Sequence, residues 1–323
     1  MALATWGLLA GLSLGREGPS VQIAAGIMHH ARHYLPEKTR VSDQGLLMVG
    51  GAAGIAAAFN TPLGGVMFAI EELSRKPEQR NSGLLMAAIV LSGLMAVSIY
   101  GNATYFGVIK VDPLTMDLLL PGLAVAILSG LAGGVFSLLL LQSIRGDSND
   151  RLSRWRGRSP VAFAAACGLL VAVIGVVTQG HTYGTGYAHS RAMLDGNNDT
   201  QPLYALLKFV ATWITAWTGV PGGLFAPALA IGGALGNDVA QFIHGVNAPT
   251  LIALGMAGFL AAVTQAPLTS FIIVMEMVDG HGLVLSLMAT TLVASGISRL
   301  IGLPLYGALA RLQLLRLNAS SAR

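Results

Sequence analysis

Long segments without a charged residue limit the fold of this sequence more than any other feature. Residues 83–100, 118–141, 161–177 and 283–297 are examples of such segments. These segments approach or reach the ~20 apolar residues with which a helix crosses the hydrocarbon core of a bilayer. A buried helix of a soluble protein seldom runs so long without a polar face. The segments therefore predict helices that lie in a membrane.

The composition of the whole chain agrees with that prediction. Of its 323 residues, 54% are hydrophobic and 11% are charged, whereas a soluble domain carries about 25% charged residues. The 41 glycines and the low aromatic content, 7%, favour helices packed closely through small residues over a barrel of alternating strands. We therefore expect an all-α integral membrane protein, a multi-helix bundle of tilted helices.

The basic residues concentrate in three polar loops, 36–44, 74–80 and 145–158, and the net charge is +4. Because these loops separate the predicted spans, the excess does not favour a nucleic-acid partner, and the positive-inside tendency places the loops in the cytoplasm. The one cysteine, Cys167, lies in an apolar segment and is interpreted as a small core residue.

An internal repeat divides the chain. Residues 51–58, followed by Pro62 and Glu71, recur as residues 255–262, followed by Pro267 and Glu276. A second similarity, between 19–27 and 227–235, precedes each copy. In both copies a proline interrupts the helical pattern. Paired, interrupted apolar segments are typical of transporters built from two inverted repeats, with an ion site where broken helices meet.

The two repeats differ in length before their shared motifs. Hydrophobic sequence at 118–177 and 203–217 precedes the turn at residues 222–223, whereas 14 residues precede Gly15. We therefore expect residues 1–105 to be an incomplete first repeat that lacks two or three helices, and residues 106–323 to be the second. Together they are expected to form a single transmembrane transport domain with no regulatory cytoplasmic domain.

The first candidate site is the pentapeptide Gly-Arg-Glu-Gly-Pro at 15–19. Pro19 suits the first turn of a helix, and the free amides of a helix N-terminus attract anions, so the carboxylate of Glu17 can occupy the place of an anion. Protonation would release this carboxylate and let an external anion replace it. The alternative is an ordinary charge–dipole contact of Glu17, paired with Arg16.

The matching place in the second repeat is Pro-Gly-Gly-Leu-Phe-Ala-Pro at 221–227, which has no carboxylate. Gly222 and Gly223 would let the backbone amides of Leu224 and Phe225 approach an ion closely. Taken alone, such a turn is more often a tight connection than a site.

Three further groups are candidates for chemistry. Glu71 and Glu72 end an apolar segment near the basic loop at 74–80, where they could receive protons from water or be neutralised by neighbouring basic residues. Glu276 matches Glu71 in the repeat and is assigned a structural role. Tyr306 offers a hydroxyl donor to an anion, or it is a tyrosine of the membrane interface.

Taken together, these motifs resemble those of the CLC family of voltage-gated-type chloride channels and proton–chloride exchangers. The resemblance covers essentially the whole chain and rests on residues 15–19, 57–65 with Glu71-Glu72, 222–227 and 304–306. It implies that Glu17 is the external gating glutamate and that Glu72 transfers protons internally. It also implies three anion-binding residues, Leu224, Phe225 and Tyr306. The motif residues that support this assignment are Gly15, Arg16, Gly18, Pro19, Gly222, Gly223 and Pro227.

The resemblance implies transmembrane chloride transport with chloride and proton as the transported ions and no cofactor or metal. Retention of Glu72 favours proton-coupled exchange; the alternatives are a passive chloride channel and an inactive truncated form of such a protein. The family's Gly-Ser-Gly-Ile-Pro motif, which supplies a further anion ligand, does not occur in this sequence.

The resemblance also implies a homodimer that buries the helices at 83–100 and 283–297, in a prokaryotic inner (plasma) membrane. Glu17 and Tyr306 argue against the fluoride-exporting branch of the family. An enzyme is not expected, because the sequence has no His-Glu-x-x-His zinc motif.

Overall fold

The computed structural model describes residues 2–34, 41–74, 82–101, 104–109, 116–145, 151–196, 203–243 and 246–321. Helices account for the regular structure of these ranges, apart from one β-bridge between Gly15 and Gly223. The helices are α1 Ala2–Leu9, α2 Glu17–His30, α3 Asp43–Phe59, α4 Pro62–Phe68, α5 Ser82–Tyr100, α6 Met116–Arg145, α7 Arg151–Arg158, α8 Pro160–Val177, α9 Tyr187–Leu194, α10 Tyr204–Trp217, α11 Phe225–Phe242, α12 Ala248–Thr264, α13 Pro267–Met277, α14 Val284–Ile301 and α15 Leu305–Ser321. The predicted all-helical fold is confirmed.

The long uncharged segments form helices as predicted. Within the described part of the chain, three helical stretches are long and apolar enough to cross a membrane: Met116–Arg145, Pro160–Val177 and His281–Ile301. Helix α5 contains the shorter apolar helical stretch Met86–Ile99. Leucines on the outer face of α6 and valines on that of α8 are exposed, among them Leu131 and Val173. Apolar side chains directed outward along such helices are suited to contact with lipid.

Both predicted helix breaks occur at the prolines of the repeat. Helix α3 is followed by the capping residue Asn60, which has a φ of 53°, and α4 begins at Pro62. Helix α12 is followed by the capping residue Gln265, which has a φ of 59°, and α13 begins at Pro267. Asparagine tolerates the left-handed conformation that closes α3, Gln265 adopts the same conformation after α12, and proline is favoured at the start of the next helix.

Glycines allow the same two helices of each repeat to pack at short range. A Cβ atom on Gly54 of α3 would lie 2.9 Å from the backbone of α2, and one on Gly50 would lie 2.5 Å from it. In the second repeat, a Cβ on Gly232 of α11 or on Gly255 of α12 would overlap the backbone of the facing helix. Small residues permit this close approach of helices, as is common in membranes.

Of the three basic loops, 36–44 and 74–80 fall mostly on residues outside the described ranges. The third contains the short basic helix α7, followed directly by α8. The division of the transport domain into residues 1–105 and 106–323 stays a prediction.

Candidate functional site

The N-terminal ends of α2 and α11 meet through a pair of backbone hydrogen bonds. The amide of Gly15 donates to the carbonyl of Gly223 at 2.8 Å, and the amide of Gly223 donates to the carbonyl of Gly15 at 2.9 Å. The pairing is antiparallel. A Cβ on Gly18 would lie 3.1 Å from the amide nitrogen of Gly223, so the small residues of both motifs are needed for this approach. Two helix ends that are about 200 residues apart in sequence therefore share one place.

The side chain of Glu17 occupies the junction between these two helix ends. Glu17 is only 3% exposed, and its Oε1 accepts a hydrogen bond from the amide of Ala226 at 3.1 Å. The amide of Phe225 and the amide of Glu17 itself also donate to the carboxylate. The charge–dipole contact expected from sequence is thus present, but it involves the opposite helix end as well as its own. The exposed Arg16 adds a favourable charge nearby.

Glycines leave the space that the carboxyl group fills. A Cβ atom on Gly15 or on Gly223 would overlap the carboxyl group of Glu17. Because any larger residue at these positions would displace the carboxylate, the glycines and the glutamate form one structural unit.

The second helix end contacts the Glu17 carboxylate through two backbone amides. The amides that contact the carboxylate belong to Phe225 and Ala226, whereas Leu224 and Phe225 were predicted as ligands. Leu224 is the residue that precedes the first turn of α11. Its role as an anion ligand stays a prediction, while Ala226 is a residue that the sequence analysis missed.

Aromatic rings surround Phe225 next to this junction. The ring of Phe225 packs against those of Phe59, Phe68 and Tyr306, with centroid distances of 6.3, 5.9 and 5.9 Å. Tyr306 lies in the first turn of α15. Its hydroxyl group is within electrostatic range of both Glu17 and Glu72. The structure therefore brings the predicted Tyr306, Phe225 and both glutamates into one region.

The adjacent residues Glu71 and Glu72 have different surroundings. Both lie in a short π-helical turn, Ala69–Ser74, that continues α4. Glu71 accepts hydrogen bonds from the amides of Leu268 and Thr269, at 3.2 and 2.7 Å. Glu71 thus binds the N-terminal end of α13, and Glu72 is the one of the pair whose charge acts on Tyr306.

Glu276 makes the equivalent contact in the other direction. Its Oε1 and Oε2 accept from the amides of Leu63 and Gly64 at the start of α4, at 3.1 and 2.8 Å. Glu71 of the first repeat therefore caps α13 of the second, and Glu276 of the second repeat caps α4 of the first. Both capped helices begin at a proline. The structural role predicted for Glu276 is present in these contacts.

A cavity of about 500 Å³ lies beside Arg16 and is lined largely by residues 179–189. Beneath its wall, Lys208 of α10 is completely buried and donates hydrogen bonds to the carbonyl oxygens of Thr182 and Gly184, both at 2.8 Å. Lys208 was not among the residues predicted from the sequence. The signal was present, since Lys208 is the single charged residue in the apolar segment 203–217.

The described residues contain no group of three or more side chains suited to hold a metal ion.

Comparisons with known proteins agree with the resemblance seen in the motifs. The family described as "Voltage gated chloride channel" matches residues 1–299. The H(+)/Cl(-) exchange transporter ClcA of Salmonella arizonae is 30% identical over 329 aligned residues, which cover 97% of this chain and 68% of that protein. The corresponding protein of Salmonella paratyphi B shows the same identity and coverage.

Solved structures show the same relation. A slow cyanobacterial Cl⁻/H⁺ antiporter superposes with a TM-score of 0.80 at 26% identity, over 96% of this chain and 74% of the other. A CLC-type fluoride/proton antiporter superposes with a TM-score of 0.75 at 26% identity, over 92% and 73% of the two chains. A eukaryotic CLC transporter shares the fold. It superposes with a TM-score of 0.69 at 22% identity, over 94% of this chain and 53% of the other.

Proposed function

Because this chain belongs to the voltage-gated chloride channel (CLC) family, we propose that it exchanges chloride for protons across a membrane. The observation on which this rests is the position of Glu17, whose carboxylate joins the N-terminal ends of α2 and α11. Two relatives with 30% identity are named as H⁺/Cl⁻ exchange transporters. An integral membrane location follows from the family and from the apolar helices.

The carboxylate of Glu17 acts as a substitute for the transported anion. Backbone amides at a helix N-terminus stabilise a negative charge whether it belongs to a side chain or to a free ion. When Glu17 is ionised, its carboxylate binds the amides of Phe225 and Ala226. An external anion is then excluded from the site that these amides form. When Glu17 takes up a proton, it loses the charge that holds it there, and chloride enters in its place.

Glu17 couples chloride to protons because it both blocks the anion site and carries the proton. Chloride enters only when a proton is held on Glu17, and that proton comes by way of Glu72, so anion and proton move in opposite directions. We propose that Glu72 supplies protons to Glu17 from the opposite side. The support is that the charges of both carboxylates act on the hydroxyl group of Tyr306.

We assign Tyr306, together with the amides of Leu224 and Phe225, to an inner anion site. The Tyr306 hydroxyl is a donor, and its ring packs against Phe225 at 5.9 Å. The two helix ends are supported by the small and rigid residues of their motifs, namely Gly15, Gly18, Pro19, Gly222, Gly223 and Pro227. Arg16 attracts the anion on the exposed side.

Coupled exchange is tested by transport measurements in liposomes. A chloride gradient imposed on liposomes that contain the protein should drive protons against their own gradient, recorded with a pH electrode. In the Glu72→Gln variant chloride flux should persist and the pH change should be lost.

Each alternative predicts a different result. Chloride flux without any pH change in the unmodified protein would reject exchange and support a passive channel. The absence of both fluxes would support an inactive form. Flux measured with fluoride or nitrate in place of chloride identifies the preferred anion.

We also propose that the protein is a homodimer in a prokaryotic inner membrane, with chloride and protons as its transported ions, no cofactor and no enzymatic activity. Support for the membrane comes from the bacterial relatives. Support for the dimer comes from exposed apolar side chains on α5 and α14, among them Leu91 and Leu292.

A further inference from the structure

A second cavity lies where four helices meet. Its volume is about 530 Å³, and it is formed by the C-terminal end of α6, by α7, by the start of α8 and by the second half of α10. None of the residues assigned above to anion or proton movement lines it. Cavities of roughly 300–1,000 Å³ are the usual size of small-molecule sites.

One side of this cavity is cationic. Arg145, the last residue of α6, and Arg156 of α7 both line it. Arg156 donates a hydrogen bond to the carbonyl oxygen of Ser143 at 2.7 Å, which fixes its guanidinium group against the end of α6. Helix α7 carries four arginines and no acidic residue. The cavity therefore offers positive charge that favours an anionic group.

The other side of the cavity is aromatic. Phe163, Trp213 and Trp217 line it, with ring centroids 5.9 Å apart for Phe163 and Trp217 and 5.2 Å for the two tryptophans. The indole of Trp213 donates to the hydroxyl of Ser143 at 2.8 Å. The Nε1 of Trp217 is buried and has no hydrogen-bond partner among the described residues.

The cavity lies at the ends of two helices that are long and apolar enough to cross a membrane. Helix α6 ends at Arg145 and α8 begins at Pro160. Tryptophan and basic residues at the ends of such helices are typical of the level of the lipid headgroups. Basic pockets between membrane helices bind the headgroups of anionic lipids.

We propose that this cavity binds one anionic phospholipid. Its phosphate is held by Arg145 and Arg156, and its acyl chains lie on Phe163, Trp213 and Trp217. A free phosphate ion would use the arginines alone and leave the aromatic side uncovered, so the combination of both sides favours a lipid. Because α10 leads directly to the turn at residues 218–223, a bound lipid also supports the helix that precedes the second helix end of the transport site.

The test uses the full chain, purified in detergent and freed of lipid, and titrated with phosphatidylglycerol. Native mass spectrometry measures the fraction of protein that retains one lipid. Affinity should fall about fivefold on Arg156→Gln and again on Arg145→Gln, the factor expected where each basic side chain near the surface contributes about 1 kcal/mol.

Two further variants separate a site from general surface charge. Arg154→Gln removes the same charge from the same helix at an exposed position that does not line the cavity, and should change affinity by about twofold or less. Leu152→Trp keeps every charge but fills part of the cavity, because Leu152 lines it and is half-exposed; it should reduce retention as strongly as Arg156→Gln.

The outcomes decide the proposal. Equal losses in Arg154→Gln and Arg156→Gln, or unchanged retention in Leu152→Trp, would show general attraction to the surface and overturn it. Equal retention of phosphatidylcholine would overturn the role of charge. Displacement of phosphatidylglycerol by an equal concentration of inorganic phosphate would show a site for the free ion and not for a lipid.

Discussion

At the scale of single residues, the burial of Glu17 is stabilised by its hydrogen bonds. An ionised carboxylate that is withdrawn from solvent costs several kcal/mol unless it is paired or hydrogen-bonded. Here the amides of Glu17, Phe225 and Ala226 donate to it, and hydrogen bonds to a charged group are the stronger kind. The same amides can also stabilise a free anion, which makes Glu17 replaceable.

Gly223→Ala tests whether the space around Glu17 controls the gate. The new Cβ would overlap the carboxyl group, and such overpacking costs about 1–3 kcal/mol. The ratio of sites that hold an external anion to sites that hold the Glu17 carboxylate should rise by about tenfold. Chloride flux in liposomes should rise while the number of protons moved per chloride falls.

The control is Gly26→Ala on α2, where a Cβ meets nothing within 4 Å. Equal transport by Gly223→Ala and Gly26→Ala would show that the glycine does not position the gate.

Lys208 shows what the sequence could not predict at this scale. A charged residue in an apolar segment marks a position of interest, but its partners are the carbonyl oxygens of Thr182 and Gly184, 24 to 26 residues earlier. Backbone carbonyls carry no sequence signature, so these partners become evident only when the fold is known. Glu17 was identified because its neighbours form a recognisable motif.

At the scale of elements, the reciprocal contacts of Glu71 and Glu276 join the two repeats. Each carboxylate accepts two amides at the start of a helix that begins with proline. A negative charge at a helix N-terminus satisfies free amides and interacts favourably with the helix dipole. These contacts hold α4 and α13 together at the point where each repeat is broken.

Glu276→Gln should lower the stability of the folded chain by about 2 kcal/mol, because the amide group retains one acceptor and loses the charge. Thermal unfolding in detergent should show a lower midpoint. Asp279→Asn is the matched control, since it also replaces one acid by its amide, at an exposed residue near His281. A midpoint for Glu276→Gln that equals that of the control would contradict the capping role.

The breaks of these helices were predictable from sequence, but the pairing of their ends was not. Proline and the repeated apolar pattern predict where α3 and α12 end. The partners of Glu71 and Glu276 lie about 200 residues away and are backbone amides. The repeat indicated that the two glutamates are equivalent, and the structure adds that each one caps the other repeat.

At the scale of the whole molecule, the exposed surface is apolar over much of α5, α8 and α14. Contact with lipid accounts for such a surface, and the proposed dimer would cover part of it. The sequence analysis selected α5 and α14 for that contact because of the family resemblance.

Cross-linking tests the dimer in membranes. Cys167 is buried and is the only cysteine, so Cys167→Ser provides a background for single cysteines. Leu91→Cys and Leu292→Cys, which replace side chains that are 62% and 56% exposed, should give a cross-linked dimer with a bifunctional maleimide. Val173→Cys on α8, at 53% exposure, should remain monomeric, and equal cross-linking at all three positions would contradict the proposed interface.

The ends of α2 and α11 are proposed to form one anion site that Glu17 occupies. Bromide, which scatters anomalously, locates anions directly in crystals of the Glu17→Gln variant. We predict a bromide peak within hydrogen-bonding distance of the amide nitrogens of Phe225 and Ala226, and no peak there in the unmodified protein at high pH. Bromide bound elsewhere only, with these amides left without an anion in the variant, would contradict the account.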